Sequence, residues 1–235
     1  MKNKIAIVKN VIATQVLIEE LMDRDYGVPG IGLMYGPPGL GKTTATASVV
    51  NRCNGIYIRA ISGITLSQLL RQIVRELSGP EMHTKESMIN YIVETMAVNN
   101  RPLFIDESDY LLSDKNTLEM VRDIHDLTGC PVVLIGMESV RRKLQRHQQF
   151  YSRINEWLEF KPLDMEDLKI LVSAVIDDGV KIEEDLLQEL LRCSGGEVRR
   201  IITGLSKVEA MAKSNELDSI DLVQWGSAEF FLQKA

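Results

Sequence analysis

The octapeptide Gly36-Pro37-Pro38-Gly39-Leu40-Gly41-Lys42-Thr43 fits the pattern G-x-x-x-x-G-K-[ST] in full. The pattern constrains the fold because it works as a turn between a buried strand and the start of a helix. The apolar run Ile31-Gly32-Leu33-Met34-Tyr35 predicts that strand, and Thr44 to Val50 predicts that helix. Glycine has no Cβ, so backbone N–H groups can turn inward and approach phosphate oxygens. The helix start adds partial positive charge at the same point. Gly36, Pro37, Pro38, Gly39, Leu40, Gly41, Lys42, Thr43 and Thr44 are therefore the candidate ATP-binding residues. Lys42 can reach the β- and γ-phosphates, and the Thr43 hydroxyl can ligate Mg²⁺.

A second motif follows at Leu103-Phe104-Ile105-Asp106-Glu107, where an apolar strand ends in two carboxylates. Downstream of a phosphate loop, Asp106 stands where the Mg²⁺ shell is held. Glu107 stands where the attacking water is polarised. Further strands are expected at 56–61, 131–136 and 157–160. They alternate with helical spacing over 8–25, 64–77, 84–99 and 116–127. This alternation predicts an α/β fold with a five-stranded parallel sheet flanked by helices.

After Pro162-Leu163 the strand signals stop. Helical patterns run from Asp164 to Ile176 and over 183–193, 197–213 and 220–231, predicting a small all-helical domain. Charge changes at the same place: residues 1–161 carry 19 basic and 18 acidic residues, residues 162–235 carry 8 and 15. Two domains are therefore expected, 1–161 and 162–235. A net charge of −6 does not mark a general nucleic-acid binder, so any DNA contact needs a local patch. One such patch is Arg141, Arg142, Lys143, Arg146 and Arg153, with no acidic residue from Arg141 to Ile154. Cys53, Cys130 and Cys193 make neither a disulfide framework nor a zinc pattern. No signal peptide or membrane helix is expected, and a reducing cytoplasm is the expected compartment.

The phosphate loop, Asp106-Glu107, the strand pattern and the helical C-terminal segment together resemble the AAA+ ATPases. That resemblance implies a P-loop AAA+ fold with a helical lid and ATP between the loop and the lid. Tyr151-Ser152-Arg153-Ile154 resembles the segment that supplies an arginine finger to the neighbouring subunit, which makes Arg153 the candidate. Gly195-Gly196-Glu197-Val198-Arg199-Arg200 resembles the lid motif whose arginine touches the γ-phosphate, which makes Arg199 the candidate, with Arg200 in reserve. Glu107, Lys42, Arg153 and Arg199 are then the catalytic set.

Within that family, the segments Tyr35–Thr43, Ile58–Leu77, Phe104–Leu111 and Val133–Met137 resemble the phage Mu B-type transposition ATPases. This implies ATP-dependent assembly on duplex DNA as a homo-oligomeric ring or filament, target selection and stimulation of a transposase. DNA contact would fall on Arg59, Lys115 or the Arg141–Arg146 cluster, mainly through phosphates. Two departures stand out. Met137 occupies the place of a polar residue that helps position water, and a thioether donates no hydrogen bond; either slow hydrolysis or substitution by Ser139 is expected. The N-terminal helix-turn-helix region of the Mu B type is not expected in the stretch before the phosphate loop. The alternatives are a loader or initiation ATPase for DNA replication, a nucleotide-gated protein-binding switch, and a metabolic phosphate-loop enzyme.

Overall fold

The computed structural model describes Met1, Lys2 and residues 4–231. Contacts divide the chain into two compact units, one of residues 13–37 and 42–160, the other of residues 1–12, 38–41 and 161 onward. The last stretch begins at Lys161, and residues 1–12 and the loop apex 38–41 group with it. Asn3 and residues 232–235 of the expected domains lie outside the described residues. Helix α1 (Lys9–Met22) runs across the division.

The first unit holds strands β1 (Ile31–Tyr35), β2 (Ile56–Arg59), β3 (Leu103–Asp106), β4 (Val132–Gly136) and β5 (Ile154–Glu159). They form one sheet in the order β2-β3-β4-β1-β5, with all neighbours parallel. Every residue of β1, β3 and β4 is buried, as a parallel sheet covered on both faces requires. Strand β5 starts three residues earlier than its apolar stretch 157–160 suggests. Its Asn155 is an extra residue against β1, so the register shifts between Ile31 and Gly32. An edge strand tolerates such a bulge because only one side of it must pair.

Helices α2 (Lys42–Val50), α3 (Leu66–Glu76), α4 (Lys85–Asn99), α5 (Lys115–Thr128), α6 (Glu138–Leu144) and α7 (Gln148–Tyr151) connect the strands, with a short 3₁₀ turn at Ser108–Ser113. Their ends follow local chemistry. Thr65 caps α3 in a reciprocal box with Gln68. Asp114 caps α5, and Gly129, at φ 67°, ends it in a left-handed turn. Leu69, Leu70, Ile73 and Val74 of α3 are buried against the sheet face that carries Ile31, Leu33, Ile56 and Ile58. Each such side chain contributes about 1.5–3 kcal/mol of burial.

The second unit contains helices α8 (Met165–Val175), α9 (Glu184–Ser194), α10 (Val198–Ser214) and α11 (Leu222–Trp225). Asp164 caps α8, and the buried Asp167 accepts the backbone N–H of Lys9 at 2.8 Å. The unit also carries a two-residue parallel pair, β6 (Lys181–Ile182) with β7 (Ser219–Ile220), beside its helices. The helical pattern over 220–231 is realised for one turn only. Asp221 and Gln224 form a capping box that starts α11, and Gly226, at φ 62°, stops it.

Candidate nucleotide site

Because all five strands are parallel, their C-terminal ends lie along one edge of the sheet. The phosphate loop leaves β1 there, and the two carboxylates end β3 there. The loop needs its glycines: Gly36, Gly39 and Gly41 have φ of 150°, 82° and 87°. A Cβ on Gly36 would stand 2.9 Å from the carbonyl oxygen of Phe160. The Lys42 ammonium donates to the carbonyl oxygens of Gly36 at 2.7 Å and Pro37 at 2.8 Å.

Asp106 is buried at the end of β3. Its Oδ2 accepts the Thr43 hydroxyl at 2.6 Å and the Tyr57 hydroxyl at 2.8 Å, and its Oδ1 accepts the backbone N–H of Glu107 at 2.8 Å. These donors are neutral, and Asp106 makes no ion pair among the described residues. A carboxylate and a hydroxyl held together are hard oxygen ligands. One carboxylate plus substrate phosphates is how Mg²⁺ is usually held. Thr43 and Asp106 therefore fit the cation that the loop implies.

Tyr57 had no place in the sequence reading. Burial, and then the bond to Asp106, push its phenol above the usual tyrosine range, so it remains a donor. The available signal was the i, i+2 pair Tyr57 and Arg59 in β2, which one strand face must carry together. Arg59 stands opposite Asp106 in the β2–β3 register, and its guanidinium meets Glu107 Oε1 at 3.3 Å. Glu107 has φ 54° and ψ 38°, a left-handed backbone uncommon outside glycine.

Beyond Glu107, Asp109 ties the 3₁₀ turn to the end of β4. It accepts the Met137 N–H at 2.7 Å and the Ser139 hydroxyl at 2.9 Å. Ser139 thus binds Asp109, while the Met137 side chain is 43% exposed at the start of α6. Gly136 permits this approach, because a Cβ there would stand 2.9 Å from Ser108 Oγ.

The remaining basic candidates separate. Lys115 pairs with Glu119 one turn on. Arg141 lies over the Tyr35 and Trp157 rings at 5.7 and 5.8 Å and donates to the Tyr35 hydroxyl at 3.2 Å. Lys143 stands 3.6 Å from Asp109. Arg142 and Arg146 are exposed on and just after α6, without an ion pair among the described residues. Arg153 is bound to Asp126. Arg199, in the second unit, donates its backbone N–H to Gly39 O at 3.0 Å.

A family model described as AAA domain matches residues 25–144, just over half of the chain, and spans both the phosphate loop and Asp106-Glu107. The chain belongs to the AAA domain family. This AAA domain chain is 23% identical over 225 residues to the replication factor C large subunit of Methanothrix thermoacetophila, covering 93% of this chain and 44% of that protein. It therefore spans less than half the length of that relative. Among solved structures it is similar to the Aeropyrum pernix ORC2 protein in ADPNP–ADP complexes, with a TM-score of 0.73 and 19% identity over 95% of this chain and 68% of that one. It is also similar to the Aeropyrum pernix ORC1 protein in complex with DNA, with a TM-score of 0.60 and 14% identity over 92% of this chain and 62% of that one. These likenesses show a P-loop AAA+ fold. No helix of the described residues is long and apolar enough to cross a membrane.

Proposed function

We propose that this chain is an ATP-hydrolysing AAA+ switch of the loader or initiation kind, acting on duplex DNA as a homo-oligomer. The observation that carries it is the Thr43–Asp106 hydrogen bond beside Glu107, at the end of a family-matched sheet. In this reading Lys42 and the loop N–H groups bind the phosphates of ATP. Thr43 and Asp106 hold Mg²⁺, which when bound neutralises phosphate charge. Glu107 takes a proton from water as the water oxygen bonds to the γ-phosphorus. The bond from γ-phosphorus to its bridging oxygen breaks, leaving ADP and phosphate. Arg199 contacts the γ-phosphate, and Arg153 serves the site of a neighbouring copy. The functional division is an α/β nucleotide domain over 1–161 and a helical lid over 162–235.

The replication factor C relative and the DNA-bound ORC1 structure support this loader or initiation reading over the transposition reading, with its transposase partner and target selection. For DNA contact, Arg142 and Arg146 are the stronger candidates, because Arg59, Lys115 and Arg141 already have partners within the protein. Binding of duplex DNA measured with ATP, ADP and no nucleotide at two salt concentrations, with particle size followed in parallel, tests the reading. ATP-dependent binding and assembly, both lost in Lys42→Ala, support it. Absence of DNA binding at low salt under every nucleotide overturns it in favour of a protein-binding switch.

A further inference from the structure

The geometry points to Asp126 as a positioning residue that grips one edge of the Arg153 guanidinium and leaves the other for a phosphate on a second copy of this chain. The inference rests on the reading above, in which Arg153 acts on a neighbour's nucleotide.

A guanidinium has two edges that can bind an oxyanion through paired N–H groups, one formed by Nε and Nη2 and the other by Nη1 and Nη2. Asp126 occupies the first. Its Oδ2 accepts Nε at 3.0 Å and lies 3.0 Å from Nη2, and its Oδ1 stands 3.2 Å from Nε. On the second edge, Nη1 makes only long contacts among the described residues, to Gln149 O at 3.3 Å and Ser152 Oγ at 3.4 Å. A phosphate oxygen can displace those at little cost. The pair lines an open cleft of about 660 Å³ together with Tyr26, Asn100 and His125. Arg153 keeps 37% of its side chain exposed there.

Both ends of the grip are anchored. The Arg153 carbonyl accepts the N–H of Ile31 at the start of β1 at 3.3 Å, and its N–H donates to Phe150 O at 3.0 Å. Asp126 follows the buried His125, whose Nδ1 pairs with Cys130 O at 2.8 Å and whose Nε2 accepts the N–H of Gly30 at 3.2 Å. The nearby carboxylate of Asp123 is engaged by Arg122. Asp126 thus takes most of the rotamer freedom from a long side chain at a fixed point of the sheet. An exposed pair of this kind contributes little to stability, so its removal is expected to act on rate. Misplacing a catalytic group by an ångström costs on the order of a hundredfold.

The test is ATPase measured on mixed subunits. Asp126→Ala and the near-isosteric Asp126→Asn are expected to lower kcat roughly ten- to a hundredfold with KM for ATP unchanged. Lys42→Ala has no working nucleotide site of its own but keeps Asp126 and Arg153. Mixed with either Asp126 variant it should restore hydrolysis, because its gripped Arg153 then faces an intact site. Full activity of both Asp126 variants alone overturns the inference. So does their inactivity without recovery in the mixture, which would place the defect inside their own protomer. Arg153→Ala mixed with Lys42→Ala is the separate control. If that pair does not recover, or Arg153→Ala alone is fully active, the reading of Arg153 itself fails.

Discussion

Thr43 and Asp106 stand 63 positions apart in the chain, yet the threonine hydroxyl donates to the carboxylate at 2.6 Å. Two parallel strands with β4 between them bring the loop after β1 and the end of β3 to one edge of the sheet. Thr43→Val keeps the shape and removes the oxygen. It should lower Mg²⁺-dependent hydrolysis at least roughly 10–100-fold, the usual range for losing a metal-site partner, while Thr43→Ser should retain most of it. A magnesium titration of ATPase activity decides; an unchanged titration in the valine variant would falsify the metal role.

Tyr57 supports the same carboxylate from β2. Tyr57→Phe should cost about 1 kcal/mol of stability, the net value of one hydrogen bond. The folded phenol titrates above its ordinary value near 10. Its stabilisation is therefore complete below pH 10 and declines as pH rises, because the unfolded tyrosine ionises first. Urea unfolding at pH 8 and pH 10.5 should show a larger loss in the wild type than in Tyr57→Phe. Equal losses would exclude this role.

Arg59 holds Glu107 at 3.3 Å, so the candidate base spends its charge on a cation. A partly exposed pair is worth up to about 1 kcal/mol, or about a fivefold rate change. Arg59→Ala should raise basal hydrolysis by up to that factor. A fall in kcat would show that Arg59 assists the reaction.

His125 is buried, with a neutral ring that accepts from Gly30 and donates to Cys130 O. Burial holds its pKa below the ordinary 6.5. The unfolded chain therefore protonates first as pH falls, and stability present above pH 6.5 is lost below it. The urea midpoint should drop between pH 7.5 and pH 5.5 in the wild type, with less of a drop in His125→Gln. Parallel profiles would rule the histidine out as the source.

In the proposed mechanism Met137 puts a thioether where a polar residue would orient water, and the Ser139 hydroxyl is held by Asp109. Met137→Asn should raise kcat several-fold with KM unchanged, a gain below the 10²-fold or more seen for a fully oriented donor. Steady-state kinetics at saturating ATP would show it, and an equal or lower kcat counts against the water-positioning account.

The loop Gly36–Thr43, the carboxylates Asp106-Glu107 and the alternation of strands and helices were legible in the sequence. Each depends on residues close in the chain: glycines that admit positive φ, an apolar run that must be buried, a capping residue such as Asp114. The partners of those residues were not legible. Tyr57 reaches Asp106 only because β2 lies beside β3 in that register, and Arg59 meets Glu107 for the same reason. Arg153 finds Asp126 across 27 positions of chain, and Arg141 finds Tyr35 across 106. Local sequence determines which conformations a segment can adopt, because backbone sterics and side-chain caps act within a few residues. Which charges neutralise one another, and which edge of the Arg153 guanidinium Asp126 takes, was decided by strand order and helix packing, because those interactions depend on distances that only the folded sheet sets.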